Sequence, residues 1–471
     1  MLPVPVNVEQ DFWRFFASYE PQRTQSTVLP VDNPTRSFWL HSSPDANPLA
    51  TEGSTGALTS TADVAIIGAG ITGIAAAYHL AKAFHAAGQR RKIVILEARD
   101  FCSGATGRNG GHLTSHDFFS FASGTSTARG LAECALEQHT IDSVAALVNE
   151  HGWAREIDLV EGGRLVLFFS PEEEADARRR FDSAKAAGYD TTTVQWLSRT
   201  EMNKIHGIDY PAVRLPARNV WPLKFVTQLF KLAQTLAPDL RLHTRTPVTS
   251  ISSAGPAREL KTPRGNVRAT YVLHATNGYA SHLLPQLSGS QGIVPVRGHV
   301  LAMRASGPLA GRESYTGNDG FEYWFPRPTK SAAVAPLVIL GGAREVARDW
   351  DVGVVDDAHM DSKVMDALRK FLPSVCPRSF ERGRQSEMEW TGIMGFTKTG
   401  DPFVGPVQED RNSGRNHFKG QYVCAGYTGH GMTRAFACAE AVSSLIAADM
   451  HGNHWARPSW LPTEYLTWNK T

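Results

Sequence analysis

Three glycines, Gly68, Gly70 and Gly73, stand at G-x-G-x-x-G spacing after the apolar run Asp63-Val-Ala-Ile-Ile67. Glycine at the first position allows a tight turn off a strand. At the second it clears the approach of a pyrophosphate, and at the third it lets the next helix pack closely on the strand. Ile71 and Thr72 begin that helix, whose free N–H groups and positive partial charge favour phosphate. A second apolar run, Ile93–Leu96, ends on Glu97, an acid at the right remove to accept hydrogen bonds from a ribose. Ala98 and Arg99 follow and complete this set. The chemistry on offer is the grip of a dinucleotide.

A second glycine turn lies near the other end, in Val423-Cys-Ala-Gly-Tyr-Thr-Gly-His-Gly-Met-Thr433. It too reads as strand, turn and helix start, with Gly429 and His430 in the bend. A nicotinamide cofactor does not need a second helix start. A flavin does, because its reduced ring carries negative charge on the pyrimidine side. The N–H groups of Gly431, Met432 and Thr433, with the helix dipole behind them, stabilise such charge by ~0.3–2 kcal/mol beyond their hydrogen bonds. The alternative reading is a glycine turn that binds nothing.

Pattern indicates the elements that must position these turns. The 471 residues allow two or three domains and a large core. Residues 1–60 are rich in Pro, Ser and Thr and read as an arm. Its one amphipathic piece, Asp11-Phe-Trp-Arg-Phe-Phe16, is expected to pack on the body. A βαβ unit spans 62–97 and a polar glycine loop 102–112. Helical pattern covers 128–151, 171–187, 225–236 and 361–371, and a long helix follows the second glycine turn to about residue 450. Strand pattern covers 164–169, 240–244, 248–251, 271–275, 293–303, 321–326, 337–341 and 421–425, with a hairpin at Arg264-Gly-Asn266. Dinucleotide-type and β-rich stretches alternate, which implies two interleaved domains. The nucleotide-binding segments are 61–150, 215–288 and 385–450, the substrate segments 151–214 and 289–384, with an arm at 1–60 and a tail at 451–471.

Net charge is +2 with no block of five like charges, so no nucleic-acid footprint is present. The five cysteines are scattered and lack the spacing of a metal site or disulfide frame. They read as reduced thiols of a cytoplasmic protein. The first residues lack a signal-peptide pattern, no apolar run is long enough to span a membrane, and the last three are not a peroxisomal signal.

Four segments occur in a telling order: the Gly68/Gly70/Gly73–Glu97 unit, Gly104-Ala-Thr-Gly-Arg-Asn-Gly-Gly111, Trp390-Thr-Gly-Ile-Met-Gly-Phe-Thr-Lys-Thr-Gly-Asp-Pro-Phe-Val-Gly405, and residues 426–432. In these the chain resembles the D-amino-acid oxidase superfamily of FAD-dependent oxidoreductases, which includes glycine oxidase, sarcosine oxidase and γ-glutamylputrescine oxidase. The resemblance covers about residues 60–450. It implies an α/β fold, with a Rossmann-type FAD-binding domain interleaved with an α+β substrate domain built on an antiparallel sheet. It implies that Gly68, Gly70 and Gly73 hold the pyrophosphate and Glu97 the adenosine ribose. Thr106, Gly107, Arg108 and Asn109 should wrap the pyrophosphate and isoalloxazine edge, with Gly110 and Gly111 allowing close approach. Val248 should flank the adenine, Thr276 and Gly278 close over the phosphates, and residues 429–433 face the pyrimidine end.

The resemblance also implies hydride transfer from the carbon beside an amine or amino-acid nitrogen to flavin N5. The imine then hydrolyses, and O2 reoxidises the flavin to give H2O2. Substrate-face candidates are Tyr323 and Trp324, which alternate on one strand so that at most one enters the pocket. His299, Arg297, Trp390, Met394, Phe396, Tyr427 and His430 join them, His430 as a flavin-side contact instead of a base. Amino-acid-oxidising relatives commonly carry arginine where Met394 stands, to pair with the substrate carboxylate. Met394 therefore favours an amine without an adjacent carboxylate, unless Arg297, Arg304 or Arg344 substitutes. The strand 337–341, where sarcosine oxidases place an oxygen-activating lysine, is apolar. No cysteine matches their covalent flavin attachment, so non-covalent FAD is expected. Two alternatives stay open: a tailoring oxidase of secondary metabolism with a larger apolar substrate, and a flavin-binding protein without turnover.

Overall fold

The computed structural model describes residues 8–20, 27–122, 125–329, 331, 333–408 and 418–470. The first seven residues, on which the signal-peptide reading rests, lie outside these. Among the described residues the chain builds two eight-stranded sheets and a two-stranded ribbon.

The first sheet grows around Thr61–Ile67, fully buried from Val64 onward. This strand pairs in parallel with Ile93–Leu96 and with Gly265–His274. Beyond them lie Arg241–His243 and Gln421–Ala425, also parallel, and then Phe403–Pro406, antiparallel. Parallel strands are covered on both faces, which is why these runs are apolar without alternation. Val64 and Ile66 pack with the helices Ile71–Ala86, Pro222–Leu236 and Gly431–His451. Ala65 and Ile67 pack the other way, with Leu260 and Val267. Those two residues belong to an antiparallel extension, Ser250–Ala254, Ala257–Thr262 and Gly265–His274. Its first turn, at Gly255, carries no signal that the sequence reading caught, and Val248 sits just ahead of its first strand.

The second sheet runs Met388–Phe396, Val294–Arg304, Leu337–Gly341, Glu322–Pro326, Ser314–Gly317, Arg164–Leu167, Ala212–Leu215, Gln195–Leu197. All its pairs are antiparallel except Ser314–Gly317 with Arg164–Leu167. Met388–Phe396 hydrogen-bonds along Val294–Ala302 here. Its sequence position had placed it in the third nucleotide-binding segment, and its Gly392 and Gly395 obscure the strand pattern. Leu337–Gly341 is internal and wholly buried, which explains its unbroken apolar run. The helix Ser362–Val375 packs on this sheet through Val364, Leu368 and Leu372. The amphipathic piece of the arm lies in the helix Val8–Ser18. Its Phe12 ring sits 5.2, 5.5 and 5.4 Å from Phe321, Trp350 and Phe396. No described helix is long and apolar enough to cross a membrane.

Candidate active site

Both sheets contribute to the lining of a cavity of about 550 Å³. On its first-sheet side, Gly68 leaves the strand with φ +108°, where an added Cβ would lie 2.7 Å from the Ala275 carbonyl oxygen. Gly70 caps the helix Ile71–Ala86 with backbone alone. The Ile71 N–H donates to Thr106 Oγ1 at 3.0 Å, so the glycine turn and the glycine loop are tied together. Glu97 accepts from the Ala69 N–H at 2.8 Å and the Arg99 N–H at 2.9 Å. Its carboxylate thus straps the turn, and the side chain still borders the cavity beside Ala98 and Val248. Gly73 does not line it. A Cβ there would meet the Gly68 carbonyl at 1.9 Å, so Gly73 serves helix-on-strand packing.

In the glycine loop, Thr106, Arg108, Asn109 and Gly110 line the cavity, whereas Gly107 and Gly111 do not. Gly107 presses on the Cys102 carbonyl and Gly111 on that of Val220, at 2.3 and 2.6 Å from an added Cβ. These two shape the loop from behind. Arg99 forks onto Asp357 at 2.8 and 3.1 Å. Arg108 donates to the carbonyls of Ser103 and Thr391, both at 2.8 Å. Burial lowers the Arg108 guanidinium to about 10 even with Asp357 nearby, so it stays a cation at neutral pH.

The second glycine turn closes on the first. Thr72 Oγ1 donates to Tyr427 Oη at 3.0 Å across 355 residues of sequence. The Gly426 N–H donates to Asn277 Oδ1 at 3.0 Å, and the Thr428 N–H to the Gly395 carbonyl at 2.8 Å. The helix Gly431–His451 begins at His430 with no side-chain cap. Residues 427–434 all border the cavity, as do Thr276 and Gly278. Two backbone-capped helix starts therefore face one space.

The second-sheet wall holds Tyr323, Phe321, Met394, Phe396, Arg164 and Arg344, with His112 beside them. Tyr323 lies against Gly110 and Gly341, where an added Cβ would strike its ring, and 5.5 Å from the His112 ring. Trp324 is corrected out of the site. Strand alternation turns it to the opposite face, where it stacks on Tyr315 at 5.2 Å in the core under Ser362–Val375. Trp390 is also outside the lining, its Nε1–H donating to the Arg108 carbonyl at 2.8 Å.

Three imidazoles of the lining, those of His430, His112 and His299, are neutral. Burial, then Arg434 and His116, pushes His430 down to about 3. Burial, then Arg164, takes His112 to about 4. His299 borders the cavity, but its Nε2 accepts from the Asp361 N–H at 2.9 Å, and burial lowers it to about 3. Of the three arginines weighed for a carboxylate, Arg297 forks onto Asp351 at 3.0 and 3.0 Å and Arg304 onto Glu387. Only Arg344 reaches the cavity.

Several lining groups leave no mark in the sequence. Glu9, Trp13 and residues 28–30 come from the arm, whose amphipathic piece gives no hint of where on the body it packs. The Arg180–Asp319 pair, at 2.7 Å, joins chain segments 139 residues apart. Behind His430, Arg434 donates to Glu137 at 2.8 Å. Burial works to raise the Glu137 carboxyl, yet Arg434 and the His116 N–H, which donates to it at 2.6 Å, hold it at about 2.

A family model described as FAD dependent oxidoreductase matches residues 63–445. The chain belongs to this FAD-dependent oxidoreductase family. It is 25% identical over 408 residues to glycine oxidase of Geobacillus kaustophilus, covering 83% of this chain and 93% of that protein. It is 24% identical over 421 residues to γ-glutamylputrescine oxidoreductase of Escherichia coli, covering 83% and 84%. The crystal structure of the G. kaustophilus glycine oxidase superposes with a TM-score of 0.66 at 22% identity, covering 87% of this chain and 99% of that one, which shows a common fold.

FAD is the cofactor of this family, and the residues present fit it. Neither helix start that faces the cavity has a side-chain cap from its N-cap residue, and apart from the Ile71 N–H, held by Thr106, their first N–H groups face an anionic ligand. Arg108 Nη2 and Thr276 Oγ1, on residues of the same lining, are buried without a hydrogen-bond partner. Such orphaned groups are costly unless something fills them.

Proposed function

We propose that this FAD-dependent oxidoreductase oxidises the carbon–nitrogen bond of a small amine or amino acid, passing electrons to O2 and releasing H2O2. The observation that carries this reading is the convergence of two helix starts without side-chain caps on a cavity whose opposite wall is aromatic and whose His112 and His430 are neutral. When bound, FAD supplies the hydride acceptor. The chain binds, orients and excludes water. In this reading the N–H groups of Gly70 and Thr72, with Gly68, Thr106, Arg108 and Asn109, hold the pyrophosphate, and Ile71 lines it with its N–H tied to Thr106. Glu97, Ala98, Arg99 and Val248 hold the adenosine, and Thr276 and Gly278 close the phosphate side. Gly429, His430, Gly431, Met432 and Thr433 face the pyrimidine end.

Tyr323, Phe321, Phe396 and Met394 form the substrate wall. An apolar wall with cationic Arg344 and Arg164 disfavours an ammonium and favours the neutral amine, the form able to lose hydride. No protein base is then required, which agrees with the depressed His112, His299 and His430. None of the five cysteines lines the cavity and all are buried, which supports non-covalent FAD and a reducing, cytoplasmic setting. The choice of O2 rests on the family resemblance, since among the described residues no lysine borders the cavity.

Anaerobic mixing of the holoenzyme with a panel of amines and amino acids is expected to bleach the flavin with at least one. Air should then restore the colour with stoichiometric H2O2. If dithionite bleaches the flavin and no amine or amino acid does, the proposal fails.

A further inference from the structure

The arm brings to the cavity a helix face that belongs to neither glycine turn. In Val8–Ser18 the side chains of Val8, Phe12 and Phe16 are buried, packed in one cluster with Val294, Val296, Val352 and Phe396. Glu9 and Trp13 stand four residues apart, so they are neighbours on one stripe of the helix, and both border the cavity. The helix is fixed in this rotation at two points. One is apolar, the Phe12 ring among Phe321, Trp350 and Phe396. The other is ionic, the Glu9 carboxyl 3.6 Å from the Arg180 guanidinium.

The charged groups beside the helix are committed to one another. Arg180 holds Asp176 and Asp319, both at 2.7 Å, and Glu9 leans on the same guanidinium. Burial, then Asp319, raises the Glu9 carboxyl. This cluster closes on itself. Trp13 differs. Its indole is half-buried, set edge-on to Phe12 and Phe16 at 5.4 and 5.9 Å and tilted to Phe396 at 6.5 Å. A rigid ring braced on other rings and still bordering open space loses little freedom when a ligand covers it. The lining next to it is Phe321, Met394 and Phe396, which are apolar as well. An apolar group that settles here leaves water against all of these side chains.

Both glycine turns lie within the 63–445 that match the family model, and residues 8–18 lie outside it. The cofactor crevice is thus built by the matched part of the chain, and this side of the cavity by a segment beyond it. We propose that Trp13 is a specificity-determining residue, which seats an apolar group of the substrate, so that the enzyme favours amines or amino acids carrying such a group. This rests on the amine-oxidising reading above and names its substrate class.

The test uses oxidised holoenzyme and two amines with no hydrogen on the carbon beside nitrogen, tert-butylamine and its phenyl counterpart cumylamine. Neither can lose hydride, so both report binding alone, through perturbation of the flavin spectrum. Wild type should bind cumylamine saturably and about tenfold or more tightly than tert-butylamine, as expected for burying one ring face. Trp13→Ala should erase that preference by weakening cumylamine alone, with flavin content and tert-butylamine affinity unchanged. Trp13→Phe should keep part of it. A merely structural role for Trp13 would weaken both amines alike, and that result overturns the proposal. So does a preference that survives in flavin-replete Trp13→Ala. Equal affinities in wild type, or no saturable binding of cumylamine, overturn it with no variant needed. Because no turnover is read, failure of the oxidation reading would leave this result intact and separately visible.

Discussion

A carbon added at Gly70 and one added at Gly73 are expected to fail differently, because the first points at the cofactor's approach and the second at backbone. At Gly73 the new Cβ would sit 1.9 Å from the Gly68 carbonyl oxygen, a clash no rotamer relieves. Gly73→Ala should therefore reduce soluble, folded protein. At Gly70 the Cβ would be 3.0 Å from Thr106 Oγ1, which the chain can tolerate, while the further methyls of valine would occupy the opening. Gly70→Val should fold, with unchanged far-ultraviolet circular dichroism, and lose most of its flavin absorbance relative to protein absorbance. Full flavin retention in that variant would show that the pyrophosphate is gripped elsewhere. These glycines were legible in the sequence because their reasons are local: a turn, a helix start, a close approach. Trp324 was not, since alternation along Glu322–Pro326 says that Tyr323 and Trp324 part company and leaves open which faces the cavity. The partners of Arg99 and Arg180 were equally hidden, as Asp357 and Asp319 lie 258 and 139 residues away.

Elements that answer to their own sequence were read closely, and those that answer to a neighbour were not. Leu337–Gly341 and Gln421–Ala425 matched their apolar runs residue for residue, because burial on both faces demands such runs. Met388–Phe396 was missed as a strand, since its partner Val294–Arg304 sets its course, and its glycines are needed where Arg108 and Asn277 press close. The helix Val8–Ser18 was visible as an amphipathic piece, but its destination was not. It brings Glu9 and Trp13 to the cavity and seats Phe12 on Phe321, Phe396 and Arg344. Phe12 is fully buried, and truncating such a ring typically costs ~3–5 kcal/mol at the site. Phe12→Ala should accelerate hydrogen exchange across residues 8–18 and raise KM several-fold for the amine or amino-acid substrate. Unchanged exchange together with unchanged KM would mean that the helix contributes nothing to the substrate wall.

The cavity is assembled from chain segments that no single stretch of sequence could organise: the arm, residues 67–110, 275–283, 298–300, 392–396 and 427–434. What the sequence did convey at this scale was the alternation of dinucleotide-type and β-rich stretches, which is the pattern by which one chain threads two sheets. What it could not convey was how much of the joint between them would be cofactor-facing surface. The Thr428–Gly395 hydrogen bond crosses that joint, while the Thr72–Tyr427 and Gly426–Asn277 bonds tie turns of the first sheet together beside the cavity. A ligand that binds only the folded form stabilises it by about 2.7 kcal/mol at a hundredfold excess over Kd and about 4.1 at a thousandfold. FAD-stripped protein should therefore unfold at a lower temperature than holoenzyme, with a midpoint that climbs as free FAD is raised. Flavin release and loss of far-ultraviolet ellipticity should coincide on heating, because the same segments make the crevice and lock the sheets together. A midpoint indifferent to added FAD, or flavin lost well before the backbone melts, would mean that the sheets hold each other without the cofactor and that the crevice is a passenger on the fold.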